Sequence, residues 1–560
     1  HGLPLDPWTM PRILVAGLEP CDAVLGRDHL ACAELRDIVR ALRALPRRTV
    51  TRPEGLARRR EQSAAALGRL RLLLAEHPRL AATLAEIVAA WPRGEEGRAR
   101  LGRLLDAQVY RLVHWRRAAR EINYRRFFDV NDLVALHMED PEVFAQTHAL
   151  VLEWRRRGWV EGFRIDHPDG LLDPRAYFER LASSAFPDRR DEPPRVWVEK
   201  ILSHGERLRP EWPVAGTTGY DFLNEAEALF ISPPGFAAIE REYHRIVRHS
   251  LGFAHAAEAG KRLILETGLS AGVRRLAERL LKPEQPGQPS VPVHQVARAI
   301  AETIVALPVY RTYVDERSPV PTGEDRRLLE QALADARTRG RARADALDLL
   351  AAALLGTDGS RLRFVQRFQQ LSGPAMAKGV EDTAFYAYTP LLSRNEVGGA
   401  PEASLDDAVD AFHAGNAYRA AHFPSSLLAA TTHDTKRNAD VRARLDVLSE
   451  LGDEWADRLY AWRRLNAHFK ATVRGRKLPD DNTVQHLFQA LLGLWPMEPL
   501  GVGDLETLRE RVSAYMVKAA REAKQRTSWT EPHADLEQAL RSDVDAILSA
   551  DRAPRLLDEV

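Results

Sequence analysis

Cysteine is nearly absent from this 560-residue chain, which holds only Cys21 and Cys32. Two thiols cannot form a disulfide framework, and their scarcity fits a reducing, cytoplasmic compartment. Excess charge of either sign is missing as well: 80 Lys and Arg face 79 Asp and Glu, a net of +1. That balance argues against a polyanion-binding protein, because nucleic-acid binders gather cations on one face. Only nine of the cations are Lys; the arginines interleave with Glu and Asp and read as coding bias. No apolar run approaches the roughly 20 residues of a membrane span. Metal-ligand pairs of the His-x-x-x-His or Cys-x-x-Cys kind do not occur. The opening residues HGLPLDPWTMPRIL carry neither a signal-peptide pattern nor an initiator Met, so the chain is expected to start inside a longer one.

What is present is an ordinary globular composition, with 45% hydrophobic and 28% charged residues, enough for roughly three to four domain equivalents. Three stretches rich in Ala, Leu, Arg and Glu (55–92, 324–356 and 440–473) repeat apolar residues at helical spacing, and Pro78 is expected to split the first. Pro- and Gly-rich breaks fall at 187–194, 283–292 and 317–323. Between the helical tracts lie short apolar runs that end in charged residues. Trp159 to Ile165 leads into Asp166, and Val196 to Val198 into Glu199. Ile304 to Tyr310 leads into Arg311, and Leu427 to Thr432 into His433 and Asp434. Strands alternating with helices imply βα units and a parallel sheet, and α/β barrels place their chemistry at the carboxyl ends of such strands.

Three of these ends offer chemistry. In GFRIDHPDG (162–170), strand alternation sets Arg164 and Asp166 on one face, so the guanidinium can keep the carboxylate ionised, as a glycosidic nucleophile requires. A structural Arg–Asp pair ahead of a Pro-Asp-Gly turn accounts for the same residues. Glu199, behind an apolar strand, would gain a raised pKa by partial burial and suit a general acid; a Glu paired with a nearby cation reads equally well. His433 and Asp434 could orient a hydroxyl and stabilise positive charge, or form a polar turn. The loop GTTGYDF (216–222) lacks the P-loop ending and the dinucleotide glycine spacing, which leaves Tyr220 and Phe222 as a sugar-stacking surface or as core. One Gly-x-Ser-x-Gly match, Gly268 to Gly272, keeps helical spacing through it and so fails as a nucleophile elbow.

Together and in order, GFRIDHPDG, VWVEK and TTHDTKR resemble the fourth-, fifth- and seventh-strand motifs of the α-amylase clan. Longer strings narrow the resemblance to maltooligosyltrehalose synthase: EINYRRFFDVNDL (121–133), GTTGYDF, LPVYRTYV (307–314), GPAMAKGVEDTAFYAY (373–388) and RVSAYMVKAAREAKQRTSW (511–529). It covers about residue 29 to about residue 530. The resemblance implies an isomerase, an intramolecular transferase that turns the reducing-end α-1,4 bond of a maltooligosaccharide into an α-1,1 bond. It implies Asp166 as nucleophile, Glu199 as general acid/base and Asp434 as transition-state stabiliser. Arg164 would orient Asp166, and His167 and His433 would contact the sugar. Tyr220, Lys378, Glu381, Asp382 and Tyr386 are expected to wall a closed glucose pocket. No metal or organic cofactor is expected, nor any nucleic-acid or membrane partner; the partners implied are the maltooligosaccharide and functional coupling to a trehalohydrolase.

The implied fold is a (β/α)8 TIM-type barrel, incomplete at both ends, with large α-helical insertions. The expected segments are 1–105 (N-terminal remnant and helical insertion), 106–235 (strands 4 and 5), 236–425 (helical insertions with strand 6) and 426–560 (strand 7 and a C-terminal helical region). The clan's Asn-His motif at the third strand and the segment before the last strand are both missing, so the chain is expected to begin after strand 3 and stop before strand 8. A barrel cannot close on four or five strands, so little trehalose-forming activity is expected of the chain alone. A hydrolase of the same clan, such as a maltooligosyltrehalose trehalohydrolase, and a non-catalytic carbohydrate-binding fragment are the rival readings.

Overall fold

The computed structural model describes residues 2–187, 193–248, 251–281, 291–498 and 502–549, together with 551 and 553. The chain divides into two compact units, His1–Arg117 and Ala118–Val560.

In the first unit the helices Leu18–Leu25, Leu30–Arg43, Pro53–Glu76 and Pro78–Ala90 bury one another's apolar faces, and the helix Gly94–Asp106 follows them. Leu35, Ile38, Leu42, Leu70, Leu73, Leu80 and Leu84 form the core. Pro78 sits at the first turn of its helix, where its missing N–H costs nothing, and so divides the 55–92 tract as expected. The free thiols expected from a reducing compartment are not what this unit holds: Cys21 and Cys32 are joined by a disulfide. Both are buried where the first two helices pack together, which brings their side chains into register.

The second unit is helix-rich around a small parallel sheet. Strands β1 (Phe163–Ile165), β2 (Val196–Val198) and β3 (Gly216–Thr217) lie side by side in that order. Arg164 stands opposite Trp197, and Val198 opposite Thr217. Val196 and Val198 point into a core with Phe178, Leu181, Trp212 and Tyr313. The extended segment around Leu427 runs along the free side of β3, where Leu427 N donates to Thr217 O (3.2 Å) and Trp197 Nε1 to Ser425 O (2.7 Å). A Cβ at Gly216 would lie within 2.6 Å of Ser426, so only glycine permits this approach.

Two expected strands are not strands. From Val293 to Ala306 the chain is helical, which absorbs the first half of 304–310, and Pro308 ends the helix. The buried stretch that follows has its backbone satisfied by side chains instead of a neighbouring strand. Gln369 accepts from Val314 N (2.7 Å) and donates to Val314 O (3.0 Å), while Asp325 accepts from Tyr313 N (3.2 Å). The run 427–432 makes a single ladder-like bond and leaves Leu427 and Leu428 exposed. Of the helical tracts, 324–356 breaks after Gly340 into Gly323–Arg339 and Ala344–Leu354. Likewise 440–473 becomes Ala439–Glu450, Gly452–Asn466 and β4 (Ala471–Val473), which pairs antiparallel with β5 (Arg476–Leu478). The break at 317–323 is an irregular connection; those at 187–194 and 283–292 lie largely outside the described residues. Gly268 to Gly272 joins two helices, Phe253–Glu266 and Ser270–Leu280, with no strand before the serine. Among the described residues no helix is long and apolar enough to cross a membrane.

Candidate active site

The parallel register of β1 and β2 decides the first contact. Where β1 ends, Glu199 N donates to Ile165 O (2.9 Å), and His167 N donates back to Glu199 Oε2 (2.9 Å). Asp166 and Glu199 therefore leave adjacent strand ends side by side. Arg164, on the same face as Asp166, reaches both carboxyls: its Nη1 lies 3.7 Å from Asp166 Oδ1 and its Nη2 3.5 Å from Glu199 Oε1. Burial pushes the Glu199 carboxyl well above the usual carboxylate range, and the hydrogen bond with Asp166 pushes it further. The same hydrogen bond holds Asp166 below that range, against its own burial and with help from Arg164. One carboxyl keeps a proton and the other gives it up.

Asp434 comes from a different part of the chain. Thr432 Oγ1 accepts from Asp434 N (3.2 Å) and pairs with Tyr220 OH (2.7 Å), so the helix starting at Tyr220 steadies the turn. On its other side the buried Glu396 accepts from Lys436 N (2.7 Å) and Arg437 N (3.2 Å). His433 Nε2 lies 3.0 Å from Asp434 Oδ2, both side chains exposed.

A third wall is a π-helix, Ala377–Ala384, continuing the helix Leu362–Met376. Wide π turns are frequent at functional sites because they re-aim side chains. Here they present Lys378, Glu381 and Asp382. Asp382 Oδ2 is 2.9 Å from Lys378 Nζ and its Oδ1 is 3.1 Å from Lys436 Nζ. Burial alone would raise the Asp382 carboxyl, but the two ammonium groups outweigh it and hold it below its ordinary value. Burial raises Glu381, which accepts from Tyr310 OH and from Gly398 N (3.1 Å).

These walls enclose a cavity of about 320 Å³ lined by Asp166, His167, Glu199, Lys378, Glu381, Asp382, His433 and Asp434. Of the eleven residues expected from the sequence, Arg164, Tyr220 and Tyr386 do not line it. Arg164 stands behind the two carboxyls and Tyr220 behind Thr432. Tyr386 is turned away, its hydroxyl accepting from Lys518 Nζ (3.2 Å). Phe127, Phe128, Tyr310 and Lys436 line the cavity without having been singled out. His167, at a left-handed backbone position (φ 43°), is packed against both phenylalanines, and burial lowers its pKa. Lys436 lies in TTHDTKR, two residues past Asp434, the one signal that could have found it. Among the described residues no group of three or more His, Cys, Asp or Glu could hold a metal ion.

No family model matches the chain. A relative from Mycobacterium tuberculosis carrying the name maltooligosyl trehalose synthase is 34% identical over 456 residues, 80% of this chain and 54% of the relative. The structure of maltooligosyltrehalose synthase from Arthrobacter ramosus is similar with a TM-score of 0.69 at 37% identity, covering 81% of this chain and 54% of that one. A hypothetical maltooligosyl trehalose synthase of Sulfolobus tokodaii gives a TM-score of 0.65 at 29% identity, covering 83% of this chain and 56% of that one. The chain thus spans about half the length of the relatives it matches. In sequence and in fold, over about four-fifths of its residues, the chain is similar to maltooligosyltrehalose synthases.

Proposed function

We propose that the cavity carries out intramolecular transglucosylation, turning the reducing-end α-1,4 bond of a maltooligosaccharide into α-1,1. The observation that carries this reading is the meeting of Asp166, Glu199 and Asp434 around one cavity, with Asp166 and Glu199 shifted in opposite directions. In this reading Asp166 attacks the anomeric carbon while Glu199 protonates the departing oxygen, giving a glycosyl-enzyme intermediate. Asp434 stabilises the positive charge that develops on the sugar, and Arg164 orients Asp166. The released glucose turns in place, and Glu199 takes the proton from its anomeric hydroxyl as that oxygen attacks the same carbon from the opposite face. Two inversions retain the α configuration at the donor.

Retention of glucose against water is the specific demand on the pocket. Lys378, Asp382 and Lys436 supply alternating donors and acceptors for sugar hydroxyls, Glu381 braces the same wall, and Phe127 and Phe128 offer apolar faces. His167 and His433 contact the first glucose; Tyr220 and Tyr386 act from behind the wall. The chemistry needs no metal or organic cofactor in this scheme. The three parallel strands are read as part of a (β/α)8 barrel, with the reacting residues at its strand ends. The product, ending in trehalose, is the substrate class of a trehalohydrolase.

The test is prolonged incubation with maltopentaose at high protein concentration, following reducing ends. The proposed isomerase removes them without shortening the chain, whereas an amylase-like hydrolase creates them. Loss of reducing ends that vanishes in Glu199→Gln supports the proposal. A gain of reducing ends, or a loss unaffected by that change, overturns it.

A further inference from the structure

A second cavity, of about 420 Å³, opens between residues 123–125 and the helices Ser270–Leu280 and Leu362–Met376. Its lining includes four arginines: Arg125, Arg275, Arg279 and Arg367. Many arginines of this chain pair with Asp or Glu, as Arg262 does with Glu302 and Arg442 with Glu227; among the described residues the four here do not. Arg125 reaches only the carbonyls of Gly170 (3.4 Å) and Gln370 (3.5 Å). Arg275 donates to Ile122 O, and Arg367 to the neutral Gln370 Oε1 (2.7 Å). The carboxylate on the rim, Glu278, is taken by Arg274 at 2.8 Å. Among the described residues none of the four guanidiniums has a carboxylate within ion-pair distance; Glu139 acts on Arg125 and Arg367 only as a more distant charge.

We propose that this cavity binds a phosphoryl dianion, either free phosphate or the phosphate of a sugar-sized phosphomonoester. Four like charges facing one hollow repel one another, and a doubly charged ligand relieves that repulsion more than a carboxylate can. Guanidinium forks match phosphate oxygens two at a time. The repulsion is visible in Arg125, whose pKa is brought down to about 10 by burial first and then by Arg367, Arg311 and Arg275. Tyr124 and Asn123, also in the lining, supply a ring face and an amide for an attached sugar. This site is separate from the carboxylate cavity and does not depend on the reaction proposed for it.

Calorimetric titration of the whole chain in low-salt, phosphate-free buffer tests this with three probes: inorganic phosphate, glucose 6-phosphate and glucose. Binding that weakens as salt is added is expected for at least one phosphoryl probe; glucose, which the carboxylate cavity can take, is expected to show no such salt dependence. Equal affinity for both phosphoryl probes identifies free phosphate as sufficient; preference for glucose 6-phosphate assigns a role to the sugar. The rim variant Arg275→Ala/Arg279→Ala changes exposed side chains only and is expected to weaken binding at least tenfold, as is Arg367→Gln. Absence of binding for both phosphoryl probes overturns the proposal, as does an affinity unchanged in the rim variant.

Discussion

Glu199 can donate a proton in the proposed reaction only while it holds one, and Asp166 can attack only while it has lost its own. Burial raises the first and hydrogen bonding lowers the second, so a window opens between them. The kcat/KM profile for maltopentaose is expected to fall on the alkaline side as Glu199 ionises, and on the acid side only below the ordinary aspartate range. Glu199→Gln should cost about 10²–10⁴-fold in kcat and abolish the alkaline limb. The same group sets a stability trend. Between the ordinary glutamate value and the raised one, the folded chain holds a proton that the unfolded chain releases. Stability therefore falls as pH rises through that interval, by at most about 1.4 kcal/mol per pH unit. Urea unfolding across that range should show the slope in the native protein and lose it in Glu199→Gln. Both residues were legible in the sequence because a strand end fixes which way a charged side chain points. Phe127, Phe128 and Tyr310 were not, since their place on the cavity wall depends on contacts with His167 and Glu381, far away in the chain.

Elements were legible where periodicity governs them and illegible where a side chain replaces a backbone partner. The tract 55–92 resolved into helices split at Pro78, whereas 304–310 read as a strand although its first residues end the helix Val293–Ala306, and just beyond it Gln369 and Asp325 supply Val314 and Tyr313 with the bonds a neighbouring strand would have made. The widened turn of the π-helix has no signature in the sequence; its place is set by a close crossing with the helix Phe253–Glu266. A Cβ on Gly379 would come within 2.6 Å of Lys261 backbone atoms, and one on Gly260 within 2.1 Å of Gly379 O. Gly379→Ala should therefore force the wall carrying Lys378 and Asp382 outward and cost about 1–3 kcal/mol in denaturant unfolding. Gly68→Ala, in the middle of helix Pro53–Glu76 with open space at its Cβ, should instead gain about 0.5–1 kcal/mol. The turn bearing Asp434 hangs on Glu396 in the same way. Glu396→Gln gives up the charge that receives two consecutive amides and should lower kcat by up to about 10²-fold, with KM for maltopentaose nearly unchanged.

Across the whole molecule, chemistry and crosslinking fall in different units: the carboxylate cavity lies within Ala118–Val560, while the disulfide lies within His1–Arg117. Counting cysteines could not reveal that bond, because two residues make no framework; what pairs them is the packing of two short helices that bury both at one contact. Cys21 and Cys32 are 11 apart in sequence, and closing so short a loop in the unfolded chain is worth about 2–3 kcal/mol. Reduction should therefore loosen the first unit and leave the second intact. Hydrogen exchange read by mass spectrometry, with and without dithiothreitol, separates the two. Protection in helix Leu30–Arg43 is expected to fall on reduction, while protection across β1 and β2 and the binding of maltopentaose stay as they were. Equal loss of protection in both units would instead mean that the stability of the carboxylate cavity is tied to the crosslink, and the two units would have to be treated as one cooperative body.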